Sequence, residues 1–428
     1  MRKFNLRKKP IIPSTQESVN ATVLKPQVDT TSEATVSDLA KAFKPKKAWI
    51  VLLSVGIGLI LVGVGSFLFA LLRPHDLGKT FDFPAIPSAI ATETTYSVLT
   101  GEAIADANMN SSPTYCVQVP NGTDGARPQA GIDEAGVVFE AIAERGITRF
   151  AAIFQNPKSA VIGPIRSLRL YYLEWDIPFN CTIVHAGGAD DALAAVRAGG
   201  YRDLTESHSY MYRGGRRSRP NNLFTTPTQL KRFNTDRSFN SSQVTGFTRM
   251  KPVEAEKARF DSLAGEKLEI TTATKQDTSK FTPVVPKITL KFTNAPNYSV
   301  VYNYNMDTNT YARSYASGVN HNVYHCPAGD LGEKDPEAVC QLVQLNPSVV
   351  IAMIVKESLA ADRYHENIVA TGSFPAYIFQ NGLVIKGSWR KNTRNDQIKF
   401  YDEAGVEIAL VPGQTFISAI PEYGKVEY

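Results

Sequence analysis

The sequence predicts an α+β or α/β protein: an N-terminal mixed α/β layer domain followed by a mainly antiparallel β domain, on a single membrane anchor helix. Three observations predict it. Near the N-terminus lies a stretch of 25 residues without a charged side chain. From about residue 113, short β-rich runs alternate with helical patterns, which is how α/β layers read. Beyond residue 285 strand-like runs follow one another, separated by turn sequences.

The uncharged stretch is Ala48–Leu72, AWIVLLSVGIGLILVGVGSFLFALL. At about 1.5 Å per residue, a helix of that length crosses the ~30 Å hydrocarbon layer with some tilt. Residues 1–47 hold ten Lys or Arg against four acidic residues, while only Arg73 and Lys79 follow the span closely. That asymmetry predicts a single-pass protein of the cell membrane with its N-terminus cytoplasmic and its C-terminal domains outside. The apolar core is too long for a cleaved signal and lacks a small-residue cleavage site, and the first cysteine after it is Cys116, so an uncleaved helix is expected as the anchor. Within the 1–47 tail, the Ser-, Thr- and Gln-rich run 14–35 has no apolar periodicity and is expected to be disordered. The formal charge of +5 belongs to the tail, because the rest of the chain has 36 basic against 37 acidic residues. No nucleic-acid partner is expected of a domain without a positive footprint.

Residues 73–112 read as a stalk, and folded structure is expected from Pro113. In 113–245 the strand runs are YCVQV, GVVFEAIAE, ITRFAAIFQ and CTIVHA, with helices expected over 167–175, 190–197 and 227–233. Residues 246–284 read as a polar linker. In 285–428 the strand runs are KITLKF, YSVVYNYN, TYARSYA, AYIFQ, LVIKGSW, QIKFYD, VEIALV and QTFISAI, with NMDTN, QNG and DEAG as turns.

Several of these stretches carry a resemblance. ARPQAGIDEAGVVFEAIAERGITRFAAIFQ, IGPIRSLR, VHAGG and RPNNLFTTP, followed by YNYNMDTNTYARSYASGVNH and GSWRKNT…IKFYDEAGVEIALVPGQTFI, are similar to the YerB-like bacterial envelope proteins. The resemblance covers most of residues 113–421. It implies a two-domain envelope protein of a family usually anchored by lipid, and it implies no reaction. Asn221 stands where that family commonly has histidine, Asn322 where it commonly has an acid, and 325–347 reads as an insertion.

The candidate chemistry starts at VIGPIRSLRLYYLEW, where Arg166 and Arg169 fall in the expected opening turn of a helix. Free N–H groups, the Ser167 hydroxyl and two guanidinium forks are the equipment for holding a phosphate or carboxylate. A second strand-to-helix turn, VHAGGADDALAAV, places His185, Gly187 and Gly188 where both turns could flank one crevice. The competing reading is structural: either arginine could simply pair with Glu140, Glu144 or Glu174. The basic run YRGGRRSRPNN, with Arg217 and Asn222, reads as a solvated loop or a clamp for an anionic polymer. Tyr311 and Arg313 share a strand face and could form an aromatic and cationic platform, with His321 beside it. Glu140 and His185 are the alternative acid–base pair of an envelope hydrolase or transferase. No motif implies a cofactor or a metal site.

All four cysteines lie beyond the span, where oxidation is permitted. Cys326 and Cys340 bracket a polar loop that buries little apolar surface, so a disulfide is expected there, with zinc as the rival reading. Cys116 and Cys181 lie in two strand runs that could be neighbours. The leading functional expectation is a non-enzymatic, membrane-tethered envelope protein that binds an anionic cell-wall polymer, its precursor or an envelope protein of wall assembly.

Overall fold

The computed structural model describes residues 94–264, 285–327 and 335–428. The basic tail, the apolar span 48–72 and most of the expected stalk lie outside the described residues. Among those described, no helix is long and apolar enough to cross a membrane. Structure begins earlier than Pro113: Thr95–Tyr96 pairs with Ala103–Ile104, a 3-10 turn covers Ala107–Ser111, and Leu99 is buried in the core. An apolar side chain with core to cover is what separates this segment from a stalk.

The N-terminal segment supplies β1 (Thr114–Pro120), β2 (Val137–Glu144), β3 (Ile147–Gln155), β4 (Thr182–Val184) and β5 (Asp203–Leu204). Its helices are α1 (Leu170–Asp176), α2 (Asp190–Ala198), α3 (Pro227–Asp236) and α4 (Pro252–Ala264). The last of these falls in the expected linker, where Phe247 and Phe260 are also buried; residues 265–284 of that linker lie outside the described residues. The C-terminal segment supplies β6 (Lys287–Lys291), β7 (Val300–Asn305), β8 (Thr310–Tyr315), β9 (Val349–Val355), β10 (Glu357–Leu359) and β11 (Glu366–Ile368). It ends with β12 (Gly372–Gln380), β13 (Leu383–Lys391), β14 (Lys399–Asp402), β15 (Thr415–Pro421) and β16 (Lys425–Glu427). The expected strand VEIALV forms only isolated bridges, at Glu407 and Leu410.

The strands of 113–245 and of 285–428, expected as two domains, share a sheet. One ten-stranded mixed sheet runs β14-β13-β12-β9-β15-β2-β3-β1-β4-β5, and residues 91–428 form one compact unit. The joint is β15, which pairs in parallel with β9 on one side and with β2 on the other, from Thr415↔Val137 to Ser418↔Glu140. TFISAIP and VVIAMIV are nearly continuous apolar runs because both faces of these central strands are covered.

One face is covered by α1 and α2. Tyr171, Tyr172 and Trp175 point inward from α1, and Trp175 stacks on Phe139 of β2 at 5.3 Å between ring centroids. Against the opposite face packs a second, antiparallel sheet, β8-β7-β6-β16, through Leu290, Tyr302 and Tyr311, with Ile142 and Val350 below them. Both disulfides form: Cys116–Cys181 ties β1 to the entry of β4, and Cys326–Cys340 closes the insertion, so zinc is not what holds that pair.

Candidate functional site

The segment around Arg166 is extended rather than helical, because its N–H groups are used sideways. Ile165 donates to Leu223, Arg166 to Gln118 and Leu168 to Gly187, each through the backbone. Helix α1 therefore begins only at Leu170, with Arg169 as its N-cap residue and no side-chain cap. This corrects the expected placement of both arginines in an opening turn. A seven-residue helix also offers little dipole to argue from.

A β-bulge decides what the arginines meet. The β2–β3 register shifts between Ile142 and Glu144, which turns Glu144 toward the α1 face, while Glu140 points to the other. Arg149 binds Glu144 through Nη2 at 2.8 Å to Oε1, and Arg169 pairs with Oε2 of the same carboxylate. Arg149 Nη1 also donates to the Ser167 carbonyl at 2.7 Å, and Arg169 Nη1 to the Leu168 carbonyl at 2.9 Å. Burial works against the Glu144 carboxylate, yet Arg149 and Arg169, with Arg166 beyond them, hold its pKa below the usual range. Burial, reinforced by neighbouring Arg169, brings the Arg149 guanidinium down to about 10. Arg166 is half-buried, and its Nε has no hydrogen-bond partner among the described residues.

The second predicted turn lies against the first. Ala186 N–H donates to the Arg166 carbonyl, Ser167 Oγ to the Ala186 carbonyl at 3.0 Å, and Leu168 bridges to Gly188. Gly187 takes φ +67°, a left-handed turn that suits glycine. So Arg166, Ser167, Arg169, His185, Gly187 and Gly188 do come together. His185 is fully buried and committed on both ring nitrogens, to the Gly187 carbonyl at 2.6 Å and to Asp203 at 2.7 Å.

Beside them opens a cleft of about 640 Å³ between the N-terminal ends of α1 and α2 and the hairpin β10–β11. Arg169, Tyr171, Gly188, Asp190, His365 and Val369 are among the residues that line it; Arg166 is not. The hairpin is fixed from beneath by Glu357, whose Oε1 accepts from Tyr423 at 2.7 Å while Oε2 is buried without a partner among the described residues. Burial pushes this carboxyl up to about 7. A raised carboxyl pKa means the fold favours the protonated form, so stability should fall as pH rises from about 4.5 to 7 and stay lower above that. Glu357→Gln should remove this slope, on the order of 1 kcal/mol after screening, in urea unfolding measured between pH 5 and 8. An unchanged slope in the variant would assign it elsewhere.

The remaining expected residues lie in other places. Tyr311 and Arg313 share a face as expected, but it is the core face; both are fully buried, so they form no surface platform. Arg313 Nη2 pairs with Glu140 Oε2 at 2.8 Å, Nη1 with the Tyr302 hydroxyl and Nε with His321 Nδ1 at 2.8 Å. Glu140 Oε1 accepts from Thr148 and Asn121, and Asn121 Oδ1 accepts from the Tyr315 hydroxyl. Burial and the neighbouring Arg313 and Arg127 hold His321 well below its usual pKa; it is neutral and donates through Nε2 to Gln129 Oε1. Glu140 and His185 thus sit on different sheet regions with their polar atoms engaged, and the acid–base alternative lacks its pair.

In the basic run, Arg217 binds the carbonyls of Ala126 and Pro128 and pairs with Glu337 at 3.3 Å, and Arg213 holds Asn222 and Glu206. Of its arginines, Arg216 and Arg219 alone are exposed, and Arg216 pairs with Asp335 at 3.8 Å. Reading the sequence missed Arg149, Arg127, Gln129 and Asn121. An arginine in the middle of the apolar run ITRFAAIFQ was the available signal, since a buried strand carries a cation only where a carboxylate waits.

Family models for the N-terminal and C-terminal domains of a protein of unknown function, DUF3048, match residues 99–240 and 288–417. The chain is 26% identical over 308 residues to "Putative lipoprotein YerB" of Bacillus subtilis (strain 168), covering 71% of this chain and 80% of that one. A crystal structure of YerB protein from Bacillus subtilis superposes with a TM-score of 0.61 at 21% identity, covering 78% of this chain and 100% of that one.

Proposed function

We propose, for a chain that belongs to the DUF3048 family and carries its N-terminal and C-terminal domains, the role of an envelope-associated recognition protein. It binds an anionic cell-wall component, polymer or precursor, or the anionic group of a wall-assembly partner. The observation that carries this reading is a charge surplus. Three guanidinium groups, Arg149, Arg166 and Arg169, act on the one carboxylate of Glu144, and Arg169 of these lines the cleft. Buried cations need compensating charge, and one anion entering beside Arg166 and Arg169 would supply it with bidentate bonds. Binding is favoured over catalysis because Glu140 and His185 are held apart.

Calorimetric titration of the full chain with phosphate-bearing wall fragments should show binding that weakens as salt is raised. Arg166→Gln should abolish it without unfolding the protein. A wild type that binds no fragment would overturn the reading.

An outward position is supported by the name of the Bacillus relative and by the charge asymmetry about residues 48–72. Here the apolar span takes the anchoring role. Protease added to intact spheroplasts should digest the domains beyond residue 73 and spare a short N-terminal fragment; a protected C-terminus would reverse the topology.

A further inference from the structure

We infer that a second cavity, beside α3, binds a sugar acid: a monosaccharide-sized polyol with one carboxylate, which meets Lys231 while the hydroxyl groups meet Tyr115, Asn156 and Asn234. The cavity, of about 360 Å³, lies where the entry of β1 and the exit of β3 approach α3. Pro227, Lys231, Asn234 and Thr235 line it from the helix, and their four- and three-residue steps put them on one face. Pro113 and Tyr115 line it from β1, Asn156 and Pro157 from the end of β3. Tyr115 packs with Leu230 and Phe233 of α3, whereas its neighbour Cys116 packs with the residues of α1, so the cavity is separate from the arginine cluster.

Two polar groups there lack the partners that burial normally requires. Asn234 is 1% exposed; Thr182 donates to its Oδ1 at 2.7 Å, while Nδ2 has no partner among the described residues. Tyr115 is 5% exposed, and its hydroxyl makes no hydrogen bond among the described residues. Burial pushes that hydroxyl up to about 12, so it stays a donor at neutral pH. Lys231 is exposed and has no ion-pair partner among the described residues, and none of the residues lining the cavity is acidic.

A single uncompensated cation calls for one anionic group rather than a run of them. Amides and hydroxyls both give and take hydrogen bonds, as sugar hydroxyls do. Asn156 spends Nδ2 on the Met109 carbonyl at 3.2 Å and keeps Oδ1 to accept from such a hydroxyl. Pro113, Pro157 and Pro227 supply an apolar wall for the C–H face of a ring. The volume is at the small end of the roughly 300–1,000 Å³ usual for ligand sites, room for one ring with its substituents.

Glucuronate and glucose, the same ring with and without a carboxylate, are the probes. In saturation-transfer NMR titrations of the full chain, glucuronate should bind and glucose should bind at least tenfold more weakly, the loss of one charge-assisted contact. Lys231→Gln, on the surface, should bring glucuronate to the level of glucose and leave glucose unchanged. Tyr115→Phe removes a hydroxyl that no protein group uses, so it should keep the thermal midpoint and weaken glucuronate about fivefold. Arg166→Gln should leave glucuronate binding as it was. Equal binding of the two sugars, or none by glucuronate, would overturn the inference. So would undiminished glucuronate binding in Lys231→Gln and Tyr115→Phe, and a loss confined to Arg166→Gln would place the sugar at the arginines instead.

Discussion

Arg313→Met should lower the unfolding free energy by about 3–5 kcal/mol, the usual cost of leaving a buried charge without its partner. Glu140 and Arg313 are both fully buried, and their pair crosses from β2 to β8, between the two sequence segments. Removing the guanidinium strands the carboxylate and also takes donors from Tyr302 and His321. The double variant Glu140→Gln with Arg313→Met should recover a large part of the loss. The amide that replaces the carboxylate would still accept from Thr148 and Asn121, and no charge would be buried alone. Urea unfolding of the wild type, both single variants and the double variant gives the coupling directly. A loss below about 1 kcal/mol in Arg313→Met would mean that water reaches this network.

Cys116→Ser with Cys181→Ser should cost about 4 kcal/mol in the chain-entropy model, since the bridge closes 65 positions of chain. The bridge joins neighbouring parallel strands β1 and β4, so its loss should destabilise the whole compact unit. The 14-position bridge Cys326–Cys340 closes only the insertion, for which the same model gives about 3 kcal/mol. Its loss should be local and leave the rest of the fold protected from hydrogen exchange. Thermal unfolding of each double-serine protein separates the two. Equal, global losses would show that the insertion is part of the core.

The periodic patterns located most elements well. ITRFAAIFQ is β3 to the residue, and the helices expected over 190–197 and 227–233 appear as Asp190–Ala198 and Pro227–Asp236. Sequence reading passed over VVIAMIV, which became a central strand, because a run without alternation has no visible face. That strands of both expected domains share one sheet was hidden for the same reason. Nothing local in TFISAIP says that its parallel partners lie roughly 70 and 280 residues upstream. At the site, the approach of the two glycine-containing turns was readable from strand-end logic. The bulge at Ile142–Glu144 was not, and it is this one-residue slip that delivers Glu144 to the arginines instead of to the face that carries Glu140. Tyr311 and Arg313 show the limit of alternation: it groups residues on a face without saying whether that face meets water or a second sheet.

Thermal unfolding of the full chain and its Arg166→Gln variant, each with and without a saturating phosphate-bearing wall fragment, tests the surplus of arginine charge most directly. Arg166 makes no hydrogen bond through Nε and lies at the edge of the cluster, so the unliganded variant should match the wild type within about 0.5 kcal/mol. Binding to the native state raises the midpoint by linkage, so the fragment should shift the wild type upward and leave the variant where it was. An equal shift in both proteins, or a variant already destabilised by more than about 1 kcal/mol, would make Arg166 a structural cation and contradict the account.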